Sequence, residues 1–116
     1  MFKFEKLDVW RKAVAFAELI YAISQVFPPE ERFGLTSQIR RAAVSISSNI
    51  AEGSARPDPD FARFVGIAAG SLYEVVTQAR IARGLGFLSE DTLHKIRTDA
   101  EEISRMLSGP RSSLGS

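Results

Sequence analysis

Cysteine is absent and histidine occurs once. The first absence removes disulfide frameworks, thiolate nucleophiles and cysteine-based zinc sites together, and it suits a reducing compartment. The second leaves His94 as the only imidazole, too few for a histidine-rich metal site. Long apolar runs are missing too. No stretch approaches the roughly 18 uninterrupted apolar residues that a membrane span needs. The opening Met1-Phe2-Lys3-Phe4-Glu5-Lys6 is charged and lacks the apolar core of a signal peptide, so the expected location is the cytoplasm. Charge of one sign is also scarce: fifteen basic against fourteen acidic residues leave a net +1, which gives no global pull toward nucleic acid.

What is present fits one ordinary globular domain. Of the 116 residues, 45% are hydrophobic and 25% charged. A chain of this size buries roughly 65% of its unfolded surface, enough to fold without metal or disulfide. Charge is distributed unevenly, because Arg32, Arg40 and Arg41 are the only charged residues between Arg32 and Ala51.

Punctuation divides the chain into four segments of helical period. Phe27-Pro28-Pro29 ends the first, Gly53 and Pro57 the second, Gly84 and Gly86 the third, and Gly109-Pro110 the fourth. The spacing predicts helices over about Leu7–Val26, Thr36–Glu52, Asp58–Gly84 and from Ser89 onward, with Asp58 and Ser89 as N-caps. Short connections force antiparallel neighbours, so the expected fold is an all-α, up-down-up-down four-helix bundle over residues 1–108. Residues 109–116 are expected to be a disordered tail.

Helix 1 carries an apolar arc of roughly half its circumference: Val9, Trp10, Ala13, Val14, Phe16, Ala17, Ile20, Tyr21 and Ile23. A surface helix needs only about 100°. The excess predicts packing against further copies of the chain. On helix 3, Gly66 and Gly70 with Ala69 and Ser71 form a small-residue ridge, expected to admit a neighbouring backbone.

Helix 2 has a core stripe of Leu35, Ile39, Ala42, Ala43, Ile46 and Ile50. Beside it Gln38, Arg41, Ser45, Asn49 and Glu52 occupy an arc about 80° wide. A polar row at a core edge has to find partners. The antiparallel register sets Arg41 near Glu74, so the expectation is an Arg41–Glu74 ion pair completed by Ser45 and Asn49. Catalysis is not expected. Ser45, Ser47 and Ser48 have no histidine nearby, and Asp91 with His94 is one carboxylate–imidazole pair where a di-iron bundle needs two. No glycine loop suits a phosphate, and neither metal nor cofactor is anticipated.

Several motifs together resemble a known family. They are Phe4-Glu5-Lys6-Leu7-Asp8-Val9-Trp10 with Ala13, Phe33 through Ala42, Ser45 through Gly53, and Phe61, Phe64, Ile67-Ala68, Gly70-Ser71-Leu72 and Glu74. The pattern resembles the bacterial four-helix bundles encoded in intervening sequences of 23S rRNA genes. These are similar in fold to the accessory variability determinant of diversity-generating retroelements. The resemblance implies a ring-shaped homopentamer. It also implies a positively charged ring of the kind with which the retroelement relatives bind nucleic acid and a reverse transcriptase.

Two functions follow as expectations. One is an adaptor for RNA, DNA or a nucleoprotein, in which Arg40, Arg11, Lys12, Arg32 and Arg56 touch phosphate and symmetry multiplies sparse charge. In that reading Arg40 points outward and Arg41 is the structural arginine. The alternative is a protein scaffold without a nucleic-acid role, with Asp99, Glu101 and Glu102 as rim contacts.

Overall fold

Helices form where the apolar spacing places them. The computed structural model describes residues 1–115, with four α-helices and no strand among them. They are α1 (Asp8–Ser24), α2 (Leu35–Ser54), α3 (Asp58–Gly84) and α4 (Glu90–Ser108). Short 3-10 turns precede α1 (Lys3–Lys6), lie between α1 and α2 (Pro29–Glu31), and follow α4 (Arg111–Leu114). Each helix packs against its two neighbours in the cyclic order α1, α2, α3, α4, and the diagonal pairs do not meet. That is the expected antiparallel bundle, 42 Å long and about 25 Å across.

The core is aliphatic. Phe16 and Ile20 of α1, Ile39 and Ile46 of α2, Leu72 and Val75 of α3, and Ile96 and Ile103 of α4 are almost wholly buried. At about 25 cal/mol per Å² of apolar surface, each of these larger side chains contributes on the order of 2 kcal/mol. The α2–α3 seam is the most extensive. Small residues are frequent among the buried positions of both helices: Ala42, Ala43 and Gly53 of α2, Ala68, Ser71 and Ala79 of α3. At Gly53 a Cβ would lie 2.6 Å from Phe64 Cβ, so this glycine is what lets the helices close at that end.

The ridge at Gly66 and Gly70 does something else. Among the described residues no atom beyond the helix's own nearby backbone comes within 4 Å of a Cβ built at either position, so no neighbouring backbone uses it there.

Helix ends follow ordinary chemistry with one exception. Ser89 Oγ accepts from Thr92 N at 3.1 Å and caps α4 as expected. The α3–α4 turn is a Schellman motif, with Gly86 at φ +82°, Phe87 N donating to Ala82 O and Gly86 N donating to Arg83 O. Asp58 does not cap α3. Its carboxylate is engaged by Arg111 at 2.8 Å instead.

That contact belongs to a docked C-terminal segment, where a disordered tail had been expected. Arg111 also donates to Ser54 O and Arg56 O and lies 4.1 Å from the Phe61 ring. Leu114 is buried at 3% exposure, so one apolar side chain holds the turn against the bundle. Ser116 lies outside the described residues.

Helix α1 hides most of its wide arc inside one chain. Val9, Ala13, Phe16, Ala17 and Ile20 are buried, and Trp10 packs on Phe4 of the N-terminal turn with ring centroids 5.1 Å apart. Val14 is only half-buried and Tyr21 is exposed.

The two kinds of glycine separate by stability. Gly53→Ala should destabilise the fold by about 1–3 kcal/mol in urea unfolding, from overpacking against Phe64. Gly66→Ala, open and mid-helix, should stabilise it by up to about 1 kcal/mol. Equal effects at both positions would contradict the seam.

Candidate functional site

The polar row of α2 divides into an inner and an outer part. Inside, Asn49 Nδ2 donates to Ser45 O at 2.8 Å and to Ser45 Oγ at 2.9 Å. Across the seam, Ser71 Oγ donates to Ser45 Oγ at 2.9 Å. Ser45 and Asn49, expected to complete an Arg41–Glu74 ion pair, are bonded to one another and to Ser71 of α3. Ser71 is 7% exposed, and the hydroxyl pair satisfies groups that would otherwise be stranded there.

Outside, the expected Arg41–Glu74 ion pair does not form: no such contact lies within 4.0 Å. Both side chains are exposed, where an ion pair gains only about 0–1 kcal/mol and water competes well. They line one cleft of about 310 Å³ with Gln38, Ser45, Ser71 and Gln78. Gln78 Oε1 is shut from solvent and has no hydrogen-bond partner. Glu52 turns away, pairing at 2.9 Å with Arg56 in the connection that follows α2.

Of the two adjacent arginines, it is Arg40, expected to point outward, that is engaged within the chain. Arg40 is the structural one. Its Nε donates to Ser24 Oγ at 2.7 Å, its Nη2 to Tyr21 O at 3.1 Å, and its guanidinium lies 4.6 Å from the Tyr21 ring centroid. Helix α1 has no basic residue in its last turn. Arg40 therefore supplies from α2 the positive charge and donors that the carbonyl end of α1 calls for. Ser24, 2% exposed, relays the contact by donating to Ile20 O at 2.7 Å.

Most of the other cations chosen from sequence are also engaged within the chain. Arg11 pairs with Asp8 and donates to Glu5 O. Arg56 bonds Glu52 and lies 5.3 Å from the Phe64 ring. Lys12 and Glu102 join α1 to α4 at 2.7 Å. Their hydrogen bond and mutual charge raise the lysine pKa and lower the glutamate pKa. Arg32 stands over Phe33 at 5.3 Å and has no carboxylate within 4.0 Å among the described residues. Of the acidic rim on α4, Asp99 pairs with Lys95 at 3.1 Å, Glu102 is taken by Lys12, and Glu101 lines an apolar groove.

Two apolar grooves escaped the sequence reading. One, about 470 Å³, lies between α1 and α2 and is walled by Val14, Ala17, Tyr21, Ala22 and Val44, with Glu18 at its edge. The other, about 370 Å³, lies between α3 and α4, walled by Leu72, Tyr73, Val76 and Ala100, with Arg97 and Glu101 at its edge. The cyclic helix order sets them on opposite faces. Tyr73, Val76 and Thr77 follow i, i+3, i+4 spacing, a second stripe beside the core of α3 that the sequence does show.

Fold and surface together define a small helical bundle with a polar cleft between α2 and α3 and, among its other clefts, two opposed apolar grooves. Comparison with known families agrees. The model of the 23S rRNA-intervening sequence protein family matches residues 5–109, and the chain belongs to that family. It is similar to a crystal structure of a protein of unknown function from the S23 ribosomal protein family of Bacteroides thetaiotaomicron VPI-5482. Sequence identity is 25% and the TM-score 0.77, over 85% of this chain and 94% of that one. No curated protein matches the sequence. No helix among the described residues is long and apolar enough to cross a membrane.

Truncating the neighbouring arginines separates their roles. Arg40→Ala should cost about 1–3 kcal/mol in chemical denaturation, because buried Ser24 loses a charged partner. Arg41→Ala should stay within about 0.5 kcal/mol. The reverse order would restore the sequence-based assignment.

Proposed function

We propose that the chain is a non-catalytic scaffold that assembles with copies of itself, head to tail, through its two apolar grooves. The observation that carries this reading is their placement on opposite faces of the bundle. A contact between unlike faces leaves one face of each kind free on the growing assembly, so it continues until a ring closes where the rotation between copies allows, and as an open filament where it does not. Tyr21 and Val44 on one face are 44% and 42% exposed, and Tyr73 on the other is 60% exposed. Glu18 beside the first groove can pair with Arg97 beside the second, where Glu101 also stands, so registers that set Glu18 against Arg97 and away from Glu101 are favoured. Five copies is the number that the family resemblance leads us to expect.

The absence of catalysis is part of the proposal. Ser45, Ser47 and Ser48 sit on α2 and His94 on α4, the diagonal pair, so the imidazole is not placed to activate any of these three hydroxyls. The adaptor reading for nucleic acid draws support from Arg32 and Arg41, both exposed and without an ion pair, in a stretch free of acids. In a ring these charges repeat. Binding of bulk RNA or DNA at about 50 mM salt that weakens on adding salt would support it. No binding at that salt would leave the scaffold alone.

Light scattering of groove variants tests the assembly. Wild type should exceed the 12.8 kDa of one chain several-fold. Tyr73→Glu and Val44→Glu should each give monomers with unchanged helicity. Mixed, they should form a dimer, because each retains the face that the other lacks. A mixture that stays monomeric, or a wild type that is monomeric at high concentration, would overturn the head-to-tail assembly.

A further inference from the structure

The cleft between α2 and α3 lies outside both apolar grooves, and assembly does not explain its chemistry. It holds a cation and an anion that leave one another free. Arg41 and Glu74 line the same 310 Å³ space, both are exposed, and neither has an ion-pair partner among the described residues. Between them the wall offers one donor and one acceptor. Ser45 Oγ accepts from both Asn49 and Ser71, so its own proton is uncommitted. Gln78 Oε1 has neither solvent nor a hydrogen-bond partner. Leaving such an acceptor unpaired is unfavourable, and a donor bound in the cleft would give it a partner on rotation about the broad terminal torsion of glutamine.

We propose that this cleft binds a free α-amino acid as the zwitterion. The ligand carboxylate meets the Arg41 guanidinium and the Ser45 hydroxyl. Its ammonium meets the Glu74 carboxylate and Gln78 Oε1. Three observations select this chemistry. The two charges of the lining cancel, so a phosphate or phosphodiester gains an attraction at Arg41 and a repulsion at Glu74, whereas a zwitterion gains at both. No aromatic ring lines the cleft, which removes the stacking platform that recognition of an unpaired base uses. The volume stands at the small end of ligand pockets, where an amino acid fits better than a nucleotide.

The test is a thermal-melt series on the full chain. The probes are a panel of standard α-amino acids, with acetate, methylamine and inorganic phosphate as single-charge controls. At a concentration about tenfold above Kd, at least one amino acid should raise Tm by several degrees, and the three controls should not. Arg41→Gln and Glu74→Gln should each abolish the shift while leaving the ligand-free Tm within about 1 °C, since both side chains are exposed. A panel without any shift would overturn the proposal. So would acetate or phosphate matching the best amino acid, or either variant responding like wild type. Light scattering of the same samples reports assembly separately, so either idea can fail without the other.

Discussion

The close approach of α2 to α3 is the constraint on which the rest of the molecule depends. Small residues permit it: Ala42, Ser45 and Ser71 lie where the two helices face each other, and Gly53 lies against Phe64 where a Cβ would collide. Two helices that meet so closely leave little room for bulky groups between them. Bulky side chains from all four helices, Phe16 and Ile20, Ile39 and Ile46, Leu72, Ile96 and Ile103, fill the core beside the seam. The polar groups along the seam are small enough to bond one another, as Asn49, Ser45 and Ser71 do. Longer polar side chains are pushed to its outer edge, and there the cleft opens.

The same asymmetry produces the apolar grooves. Where α2 meets α1, and α3 meets α4, contact is looser than along the seam. Side chains on those flanks are left half covered: Val14 and Tyr21 on one face, Tyr73 and Val76 on the other. The proposed scaffold therefore does not need a helix too oily for one chain to hide. Trp10 finds cover on Phe4 within the chain, and only the margin of the arc remains for a partner.

Much of this was legible in the sequence. Ile39, Ala43, Ile46 and Ile50 mark the buried face of α2 by spacing alone, and Ser89 marks the start of α4 by its hydroxyl. What failed did so for physical reasons. A helical wheel measures direction within one helix. It could not show that the end of α1 lies beside Arg40, and so it assigned the structural role to Arg41. Glycine spacing showed Gly66 and Gly70 as a ridge, but whether a neighbour approaches depends on crossing geometry, and the tight approach is at Gly53. The C-terminal residues are proline, glycine and serine apart from Arg111 and Leu114, and those two dock the segment through tertiary contacts that composition does not encode. The polar cleft was visible as a row of residues, but its open Arg41–Glu74 gap was not.

The chain has two tyrosines, Tyr21 and Tyr73, one on each apolar face. Hydroxyl-radical footprinting across a concentration series reads both side chains directly. If unlike faces join, the two should lose reactivity together and over the same concentration range. Protection of one tyrosine alone, or full reactivity of both when the protein is concentrated, would contradict the account.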